Sequence, residues 1–351
     1  MDFRWRSLIG SIRTLLSALV AAGLLLPAPA AGQTHGPTEV AQWETIKPLF
    51  KMVEDVAAGL APASDIATAW QVNFVRADSG FVIVPFTIQL DPNAFTTYPL
   101  GMYIRIVLRG APAPAPGPRD ALAQYPFEDA AIVERPTDGR INRAFVVSPG
   151  EYDVYIGLRD GVGLAVAEPG QPAPEPLPAK AVVIKQQVDV PDFGDRLSTS
   201  SVFVLESNQI DTRPTRPNFE EQLDDPYAMW GLRMRPALRR VYTPQETLAV
   251  LFLVYNAQLS TTTGKPDVEV RYSFLRKAGT QETFVTRTAP ELLNSETLGP
   301  NFNPANGDVI IAGKQVPLSS FSSGDYRLEI TVVDKTNASA TVRDVNFSVR
   351  P

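Results

Sequence analysis

Apolar and polar residues alternate along most of the chain from Trp70 onward. In the segment 104–109, isoleucine, isoleucine and leucine alternate with arginine, valine and arginine, and in 326–332 every second residue is apolar. A period of two is typical of strands that bury one face. At least a dozen such short segments, separated by turns, predict an all-β protein built of β-sandwiches.

Two of these strands contain an irregularity. Pro85 interrupts the strand 81–90, and because proline cannot donate a backbone hydrogen bond, we expect an edge strand or a bulge there. In the last strand, Val342 and Val345 are three residues apart, which breaks the alternation that Phe347 and Val349 continue. The offset predicts a bulge in this strand.

One segment, Thr45–Leu60, has a helical period. Its apolar residues step by four, three and four, so they share one helix face: Leu49, Val53, Val56 and Leu60. Pro48 is expected in the first turn, where its missing N–H does no harm, and Gly59 is expected at the end. We expect this amphipathic N-terminal helix to pack on its own domain.

The N-terminus has the three parts of an export signal. Three arginines lie before an uncharged run, Thr14–Leu26, which is followed by Pro27 and the small-residue motif Ala28–Pro29–Ala30. The run is shorter than the ~20 apolar residues of a membrane-spanning helix. The sequence therefore predicts a signal peptide at 1–30, a periplasmic or extracellular mature protein, and no membrane span after cleavage.

Segments rich in proline and glycine mark the loops and domain boundaries in the rest of the chain. The chain has 32 prolines in 351 residues, with proline-rich stretches at 111–118 and 168–178 that predict extended loops. The segment 191–195 reads Pro-Asp-Phe-Gly-Asp, a pattern of turns and linkers. We predict a tail and helix at 31–65, a first β-sandwich at 66–190, a linker at 191–200 and a second β-sandwich at 201–351.

Two segments resemble each other. Residues 149–154 read PGEYDV and residues 323–328 read SGDYRL, each with a glycine turn, an acidic residue and a tyrosine before an alternating strand. The second copy, 324–349, resembles the closing hairpin of immunoglobulin-like and fibronectin type III-like modules of exported bacterial proteins, with Ile330, Val332 and Asp334 in the expected places. The resemblance implies two tandem immunoglobulin-like domains, without the Cys–Trp–Cys core of antibody domains. It implies no activity.

The composition excludes several chemistries. The chain has no cysteine and one histidine, His35, so Ser-His-Asp and Cys-His catalysis and ordinary zinc sites have no residues to use. No phosphate-binding glycine motif is present, and we predict no cofactor. The net charge is −6 before the basic signal is removed, which argues against nucleic acid as a partner.

Carboxylates remain as candidates. A glycoside hydrolase needs only two facing carboxyl groups, and three adjacent acidic pairs offer them: Glu128–Asp129, Glu220–Glu221 and Asp224–Asp225. Asp189, Asp192 and Asp195 near the linker are candidate calcium ligands, although no D-x-D-x-D-G loop is present and turn-forming aspartates are the simpler interpretation.

One segment combines aromatic residues with arginines, as binding hot spots do. Its members are Tyr227, Trp230, Arg233, Arg235 and Arg239. We predict a partner-binding site there; the alternative is a buried aromatic core from which arginines extend to solvent.

The residues are compatible with three functions. The first is a non-catalytic exported protein that binds a protein partner or has a structural role in the cell envelope. The second is a carbohydrate-binding protein that stacks sugars on exposed aromatics such as Tyr125, Tyr227 or Trp230. The third is a carboxylate-based hydrolase.

Overall fold

The computed structural model describes residues 37–77, 80–111, 125–136, 138–160, 179–206, 223–229, 232–304 and 307–351, with side chains from residue 46 onward. These residues are mostly β-strand, with one helix among them, so the predicted all-β character is confirmed. No helix in the described ranges is both long enough and apolar enough to cross a membrane.

Contacts divide the chain into two units. The N-terminal unit holds the described residues up to Val72 together with Ser79–Pro191, and the C-terminal unit holds Asp192–Pro351 together with Asn73–Asp78. The short strand β2 (Val75–Arg76) thus belongs to the C-terminal unit although it lies early in the sequence. Residues 192–200, predicted as a linker, also make their contacts within the C-terminal unit.

The N-terminal unit has two antiparallel sheets. In one, β1 (Ala67–Val72) and β6 (Arg140–Val147) flank β3 (Val82–Leu90); the other has the order β5-β4-β7-β8. The strands of this second sheet are β4 (Leu100–Leu108), β5 (Phe127–Val133), β7 (Gly150–Arg159) and β8 (Ala181–Val190). Phe127 of one sheet lies 6.2 Å from Phe145 of the other, ring centre to ring centre, so their inner faces pack together.

Helix α1 (Pro37–Ala57) covers the outer face of the second sheet. Leu49 and Val53 are fully buried, and a side chain at Gly157 of β7 would meet Leu49 at 3.3 Å. The glycine therefore lets the helix approach the sheet closely. The helix begins at Pro37, so Pro48 lies inside it and the predicted start at 45 is wrong.

The C-terminal end of α1 follows the glycine signal. Gly59 has φ = 73°, and the N–H of Leu60 donates to the carbonyl of Asp55 at 2.8 Å, which is the bond that closes a helix before a left-handed glycine. Leu60 consequently lies beyond the helix and is 78% exposed, so the prediction that it shares the buried face is wrong.

The C-terminal unit also has two principal sheets. The smaller contains β9 (Ser198–Thr199), β10 (Phe203–Leu205), β14 (Thr247–Tyr255) and β18 (Ile310–Pro317), in the order β10-β14-β18 with β9 also on β14. The larger has the order β13-β20-β19-β15-β16. Its strands are β13 (Val241–Tyr242), β15 (Val268–Ala278), β16 (Gln281–Arg287), β19 (Gly324–Asp334) and β20 (Ser339–Val349), with β17 (Glu291–Leu293) also on β15.

A single apolar core fills the space between these two sheets. It joins Phe252 and Leu248 of β14 to Tyr272 of β15 and to Leu328 and Ile330 of β19. β19 and β20 keep one continuous register from Gly324 opposite Val349 to Asp334 opposite Ser339, so the predicted bulge is absent. The remaining short hairpin of this unit is β11 (Ala228–Met229) with β12 (Leu232–Arg233).

The C-terminal unit holds residues 73–77 through polar contacts. The N–H of Phe74 donates to the Ser201 hydroxyl at 2.8 Å, and the N–H of Arg76 donates to the Tyr255 hydroxyl at 3.1 Å. The guanidinium of Arg76 lies 4.6 Å from the Tyr255 ring centre and donates to Asn256 Oδ1 at 2.5 Å. This unit is therefore completed by a segment that precedes most of the N-terminal unit in the sequence.

Candidate functional site

The aromatic part of the predicted binding segment is directed into the protein. Tyr227 is 1% exposed and meets Phe203 edge-to-face, with ring centres 6.4 Å apart. A ring in this position is not available for stacking on a ligand. Trp230 lies outside the described residues.

The three arginines of this segment each pair with a carboxylate of the same unit. Arg233 pairs with Asp225, and Arg235 Nε lies 2.7 Å from Glu206 Oε2. Arg239 pairs with Glu246 and also donates to the carbonyl of Val241 at 2.8 Å. Because Arg239 donates to its carboxylate, the pKa of Glu246 is held below the ordinary value.

The carboxylates Glu128 and Asp129 are neighbours on β5 and point to opposite faces of the sheet. Glu128 stands opposite Arg105, and Asp129 stands opposite Ile104, whose side chain is in the core. Burial raises the pKa of both acids. This pair therefore does not provide the two facing carboxyl groups that glycoside hydrolysis requires.

Glu128 belongs to a small polar cluster on the outer face of β4 and β5. It accepts a hydrogen bond from the Tyr103 hydroxyl and lies 3.4 Å from Arg105 Nη2. The guanidinium of Arg105, a buried residue, sits 4.3 Å from the centre of the Tyr125 ring. Tyr125, a predicted sugar platform, thus already has a cation on one face. Of the other predicted acids, Asp225 pairs with an arginine as described above, and Glu220 and Glu221 lie outside the described residues.

Of the three aspartates near 190, Asp189 and Asp192 have separate partners instead of a shared centre. Asp189 lies 3.3 Å from Arg109 in an ion pair. Asp192 accepts the N–H of Gly194 at 2.8 Å, the turn contact expected of an aspartate two residues earlier. Across the described ranges, no group of three or more metal-ligating side chains is arranged to hold an ion.

Sequence reasoning did not single out the most exposed apolar feature of the C-terminal unit, the edge strand β16. All seven of its residues are exposed, including Phe284 at 57% and Val285 at 41%. β16 pairs with β15 on one side, and no described strand pairs with its other side. The only local signal was the dipeptide Phe284–Val285 in an otherwise polar strand.

An open groove of about 790 Å³ lies beside β16, on the side of its partner strand β15 and the start of β19. We call it the β16 groove. Its walls are β16, the end of β15 and the loop that leads into β19, with Arg276, Lys277, Ala278, Thr283, Phe284, Val285, Ser320, Ser322, Ser323, Gly324, Asp325, Tyr326 and Arg350 as its lining residues.

The groove carries an excess of positive charge. Its one carboxylate among the described residues, Asp325, accepts from the Ser348 hydroxyl and lies 2.5 Å from Arg350, and both contacts lower the pKa of Asp325. Arg276 donates to the Ser323 carbonyl at 2.9 Å, and Lys277 donates to the amide oxygen of Asn346 at 3.2 Å. In the register of the sheet, Lys277 also stands opposite Glu282 of β16 and Asp325 of β19, two carboxylates that offset its charge.

The comparisons with known proteins give no family. No protein-family model matches the chain, and neither does any curated protein. Among solved structures, Escherichia coli alpha-2-macroglobulin activated by porcine elastase matches with 12% identity and a TM-score of 0.22, over 80% of this chain and 23% of that one.

Two further structures match at a similar level. A calcium-binding mutant of Bacteroides uniformis beta-glucuronidase 2 has 10% identity and a TM-score of 0.22, over 78% of this chain and 27% of that one. Trypsin-activated alpha-2-macroglobulin from Escherichia coli has 8% identity and a TM-score of 0.21, over 83% and 16%. The chain thus spans about a quarter or less of these much longer proteins, and likenesses this low carry no argument about its function.

Proposed function

We propose that this chain is an exported, non-catalytic binding protein made of two immunoglobulin-like β-sandwich units, with a protein of the cell envelope or extracellular space as its partner. The export part rests on the sequence: the arginines, the apolar run Thr14–Leu26 and the motif ending at Ala30. The fold and binding parts rest on the contacts described above.

The strand order supports the immunoglobulin-like assignment. Named by their order in such a sandwich, strands A, B and E form one sheet and strands C′, C, F and G form the other. In the N-terminal unit β1-β3-β6 and β5-β4-β7-β8 have these orders, and in the C-terminal unit β10-β14-β18 and β16-β15-β19-β20 have them again. The parallel pairing of β13 with β20 adds a short strand beside G.

A tyrosine corner supports the same assignment in both units. In such sandwiches a tyrosine near the start of strand F donates its hydroxyl to a backbone carbonyl a few residues earlier. Tyr152 donates to the carbonyl of Ser148 at 2.8 Å, and Tyr326 donates to the carbonyl of Ser322 at 2.6 Å. The two residues occupy equivalent places, the third position of β7 and of β19.

The repeat extends to the far end of strand F. Asp160 and Asp334 each follow their tyrosine by eight residues, and both are buried. Asp160 accepts the N–H of Lys180 at 2.5 Å, and Asp334 accepts the N–H groups of Gln258 and Thr336 at 2.7 and 2.9 Å. In each unit a buried carboxylate thus satisfies backbone donors at the same end of the sandwich.

The observation that carries the binding role is the exposed edge of β16. Soluble proteins usually protect a sheet edge, because its unpaired N–H and C=O groups are a template for another strand. Here the edge presents Phe284 and Val285 to solvent beside an open groove. β16 has a bulge at Val285, yet an edge without a strand partner that exposes an aromatic residue is typical of a surface that pairs with a partner.

The experiment is site-specific photo-crosslinking in cells that express the full-length chain. A benzoylphenylalanine in place of Phe284 is expected to give a discrete crosslinked product in the envelope or medium fraction. The matched control is the same probe at Leu259, which is 42% exposed in the same unit. Equal products from both positions, or a chain that stays uncleaved in the cytoplasm, would contradict the proposal.

A further inference from the structure

We infer that two copies of this chain pair through the free edges of their β8 strands and form a symmetric dimer. The surface belongs to the N-terminal unit, so the inference goes beyond the partner proposed for β16 and does not depend on it. Three properties of β8 carry it: backbone groups that face an open edge, two ends that limit this edge, and an order of charges that is complementary to itself.

The backbone of β8 directs every second residue away from β7. The carbonyl of Val183 accepts from the N–H of Ser64 at 2.6 Å, and the N–H of Val183 donates to the Ser64 hydroxyl at 3.3 Å, so both groups face outward. Because these directions alternate along an antiparallel strand, the next outward groups belong to three polar residues: Lys185, Gln187 and Asp189. In the described ranges no strand pairs with this edge.

The open part of the edge is bounded on both sides. Ser64 occupies the outward groups of Val183, and Pro191 has no N–H to donate. Pairing with another strand is therefore confined to 185–189. A contact of this length is small for a protein interface, so we expect a weak dimer whose population depends on concentration.

The C-terminal unit has a strand at the equivalent place. β8 corresponds to β20, since Val190 and Val349 each stand opposite the first residue of the strand before them. Beside the end of β20 lies β13, and there the N–H of Ser348 donates to the carbonyl of Arg240 at 2.8 Å. Asp189 corresponds to Ser348 but has no strand beside it among the described residues. The same edge thus carries a strand in one unit and is open in the other.

The charges along this edge are complementary to themselves. When two β8 strands pair antiparallel about Gln187, Lys185 of each copy stands opposite Asp189 of the other, and all three outward residues exchange main-chain hydrogen bonds. Opposite charges that face each other stabilise a strand pair. A centre on Lys185 or on Asp189 would bring like charges together, and a centre between these positions and Gln187 would pair fewer of the outward residues.

The two charged side chains remain accessible to a second copy. Asp189 is 77% exposed although it lies 3.3 Å from Arg109, and Lys185 is 36% exposed and lies 3.2 Å from Asp153. Exposed ion pairs contribute little free energy, so the main-chain hydrogen bonds hold the strands and the charges select the register. A strand of another protein would need a base, a neutral residue and an acid at matching positions, which a second copy supplies by symmetry.

The test measures the mass of the purified processed chain by sedimentation velocity, from the low micromolar range to several hundred micromolar. We expect a reversible equilibrium of monomer and dimer. Lys185→Glu and Asp189→Lys each place like charges at both contacts, so each should weaken the dimer by about tenfold or more. An equimolar mixture of the two variants places opposite charges at both contacts and should form a heterodimer as tight as the original dimer.

A cysteine locates the axis of the dimer, because the chain has no cysteine of its own. Gln187→Cys places two thiols opposite each other at the ~5.5 Å Cα separation of a hydrogen-bonded pair, which a disulfide can span. Mild oxidation should therefore give a covalent dimer. The matched control is Asn346→Cys, at the equivalent exposed position of β20, which should stay monomeric under the same conditions.

Four results would overturn the inference. They are a chain that is monomeric at every concentration, a dimer that neither charge variant weakens, two variants that fail to associate when mixed although circular dichroism shows both to be folded, and equal crosslinking at positions 187 and 346. A dimer that forms through another surface, such as the edge of β16, would give the second result.

Discussion

Replacing Tyr326 by phenylalanine removes one hydroxyl and leaves the ring in place. The ring is 1% exposed and stacks on Phe347 with centres 5.4 Å apart, so its packing is retained. What is lost is the 2.6 Å hydrogen bond to the Ser322 carbonyl, together with a longer contact of 3.3 Å with the Ser322 hydroxyl. Because Ser322 is exposed, water can reach its carbonyl and the loss should be near the ordinary value for one hydrogen bond, about 1 kcal/mol of unfolding free energy.

Tyr152→Phe is the matched change in the other unit, where the hydroxyl bonds to the exposed Ser148 at 2.8 Å. Hydrogen exchange with mass spectrometry follows each unit separately, and a loss of about 1 kcal/mol corresponds to roughly fivefold faster exchange of core amides. We expect this acceleration in β19 for Tyr326→Phe and in β7 for Tyr152→Phe. Tyr326→Ala, which also removes the ring, should cost about 3–5 kcal/mol.

The result that would refute the reasoning is a Tyr326→Phe chain whose β19 amides exchange at the original rate while Tyr326→Ala is strongly destabilised. The hydroxyl would then be dispensable, and the residue would stabilise the unit by packing alone. The tyrosine corner would no longer support the immunoglobulin-like assignment.

Three further changes test other contacts. Gly157→Leu should displace α1, because even the first side-chain carbon would lie 3.3 Å from Leu49, and limited proteolysis should then cut the helix first. Arg76→Ala should speed hydrogen exchange in β14 by removing the bond and ring contact to the end of that strand, with unchanged exchange refuting a structural role for residues 73–77. Glu246 has a folded pKa below its unfolded value of 4.5, so its contribution to stability is present above that value and is lost as the pH falls. In Glu246→Gln we expect the free energy of unfolding to fall less steeply as the pH drops below 4.5. An unchanged pH dependence would contradict this expectation.

The strands could be predicted wherever burial alone decides the pattern. β19 alternates over its whole length, and its bounds in the structure include every residue of the predicted alternation. The offset between Val342 and Val345 was misread, because a valine on the solvent face looks in the sequence like one on the core face. Val342 is 47% exposed and Val345 is buried, so β20 needs no bulge to accommodate both.

Pro85 shows a related limit. An edge strand or a bulge is expected at Pro85, but its strand, β3, lies between β1 and β6, so the edge position is wrong. The pairing with β1 ends at Phe86, so Pro85 lies just past the last residue that β1 contacts. Which neighbour a strand has at each residue depends on where the neighbour stops, and that information is not in the strand's own sequence.

The candidate site was the hardest part to predict for the same reason. Arg235 and Arg239 looked available as binding residues, but Glu206 and Glu246 hold them, and a single sequence does not reveal such pairs. Whether β16 lies at the edge of its sheet depends on the pairing of all the strands, and the residues of β16 alone do not determine it. Residue propensity and the alternation of apolar residues identify strands, but they do not show which strand lies at the edge of a sheet.

The sheets β5-β4-β7-β8 and β16-β15-β19-β20 differ on their outer faces. In the N-terminal unit the outer face is occupied by α1 at Tyr103 and Val183. In the C-terminal unit the equivalent face is charged: Arg327 of β19 pairs with Glu282 of β16, Glu329 of β19 and Asp344 of β20, which ties three strands together. These ion pairs fix β16 from its outer face while leaving its edge open. A strand that is held by such contacts loses less conformational entropy when a partner strand pairs with its free edge, which favours recognition by strand addition.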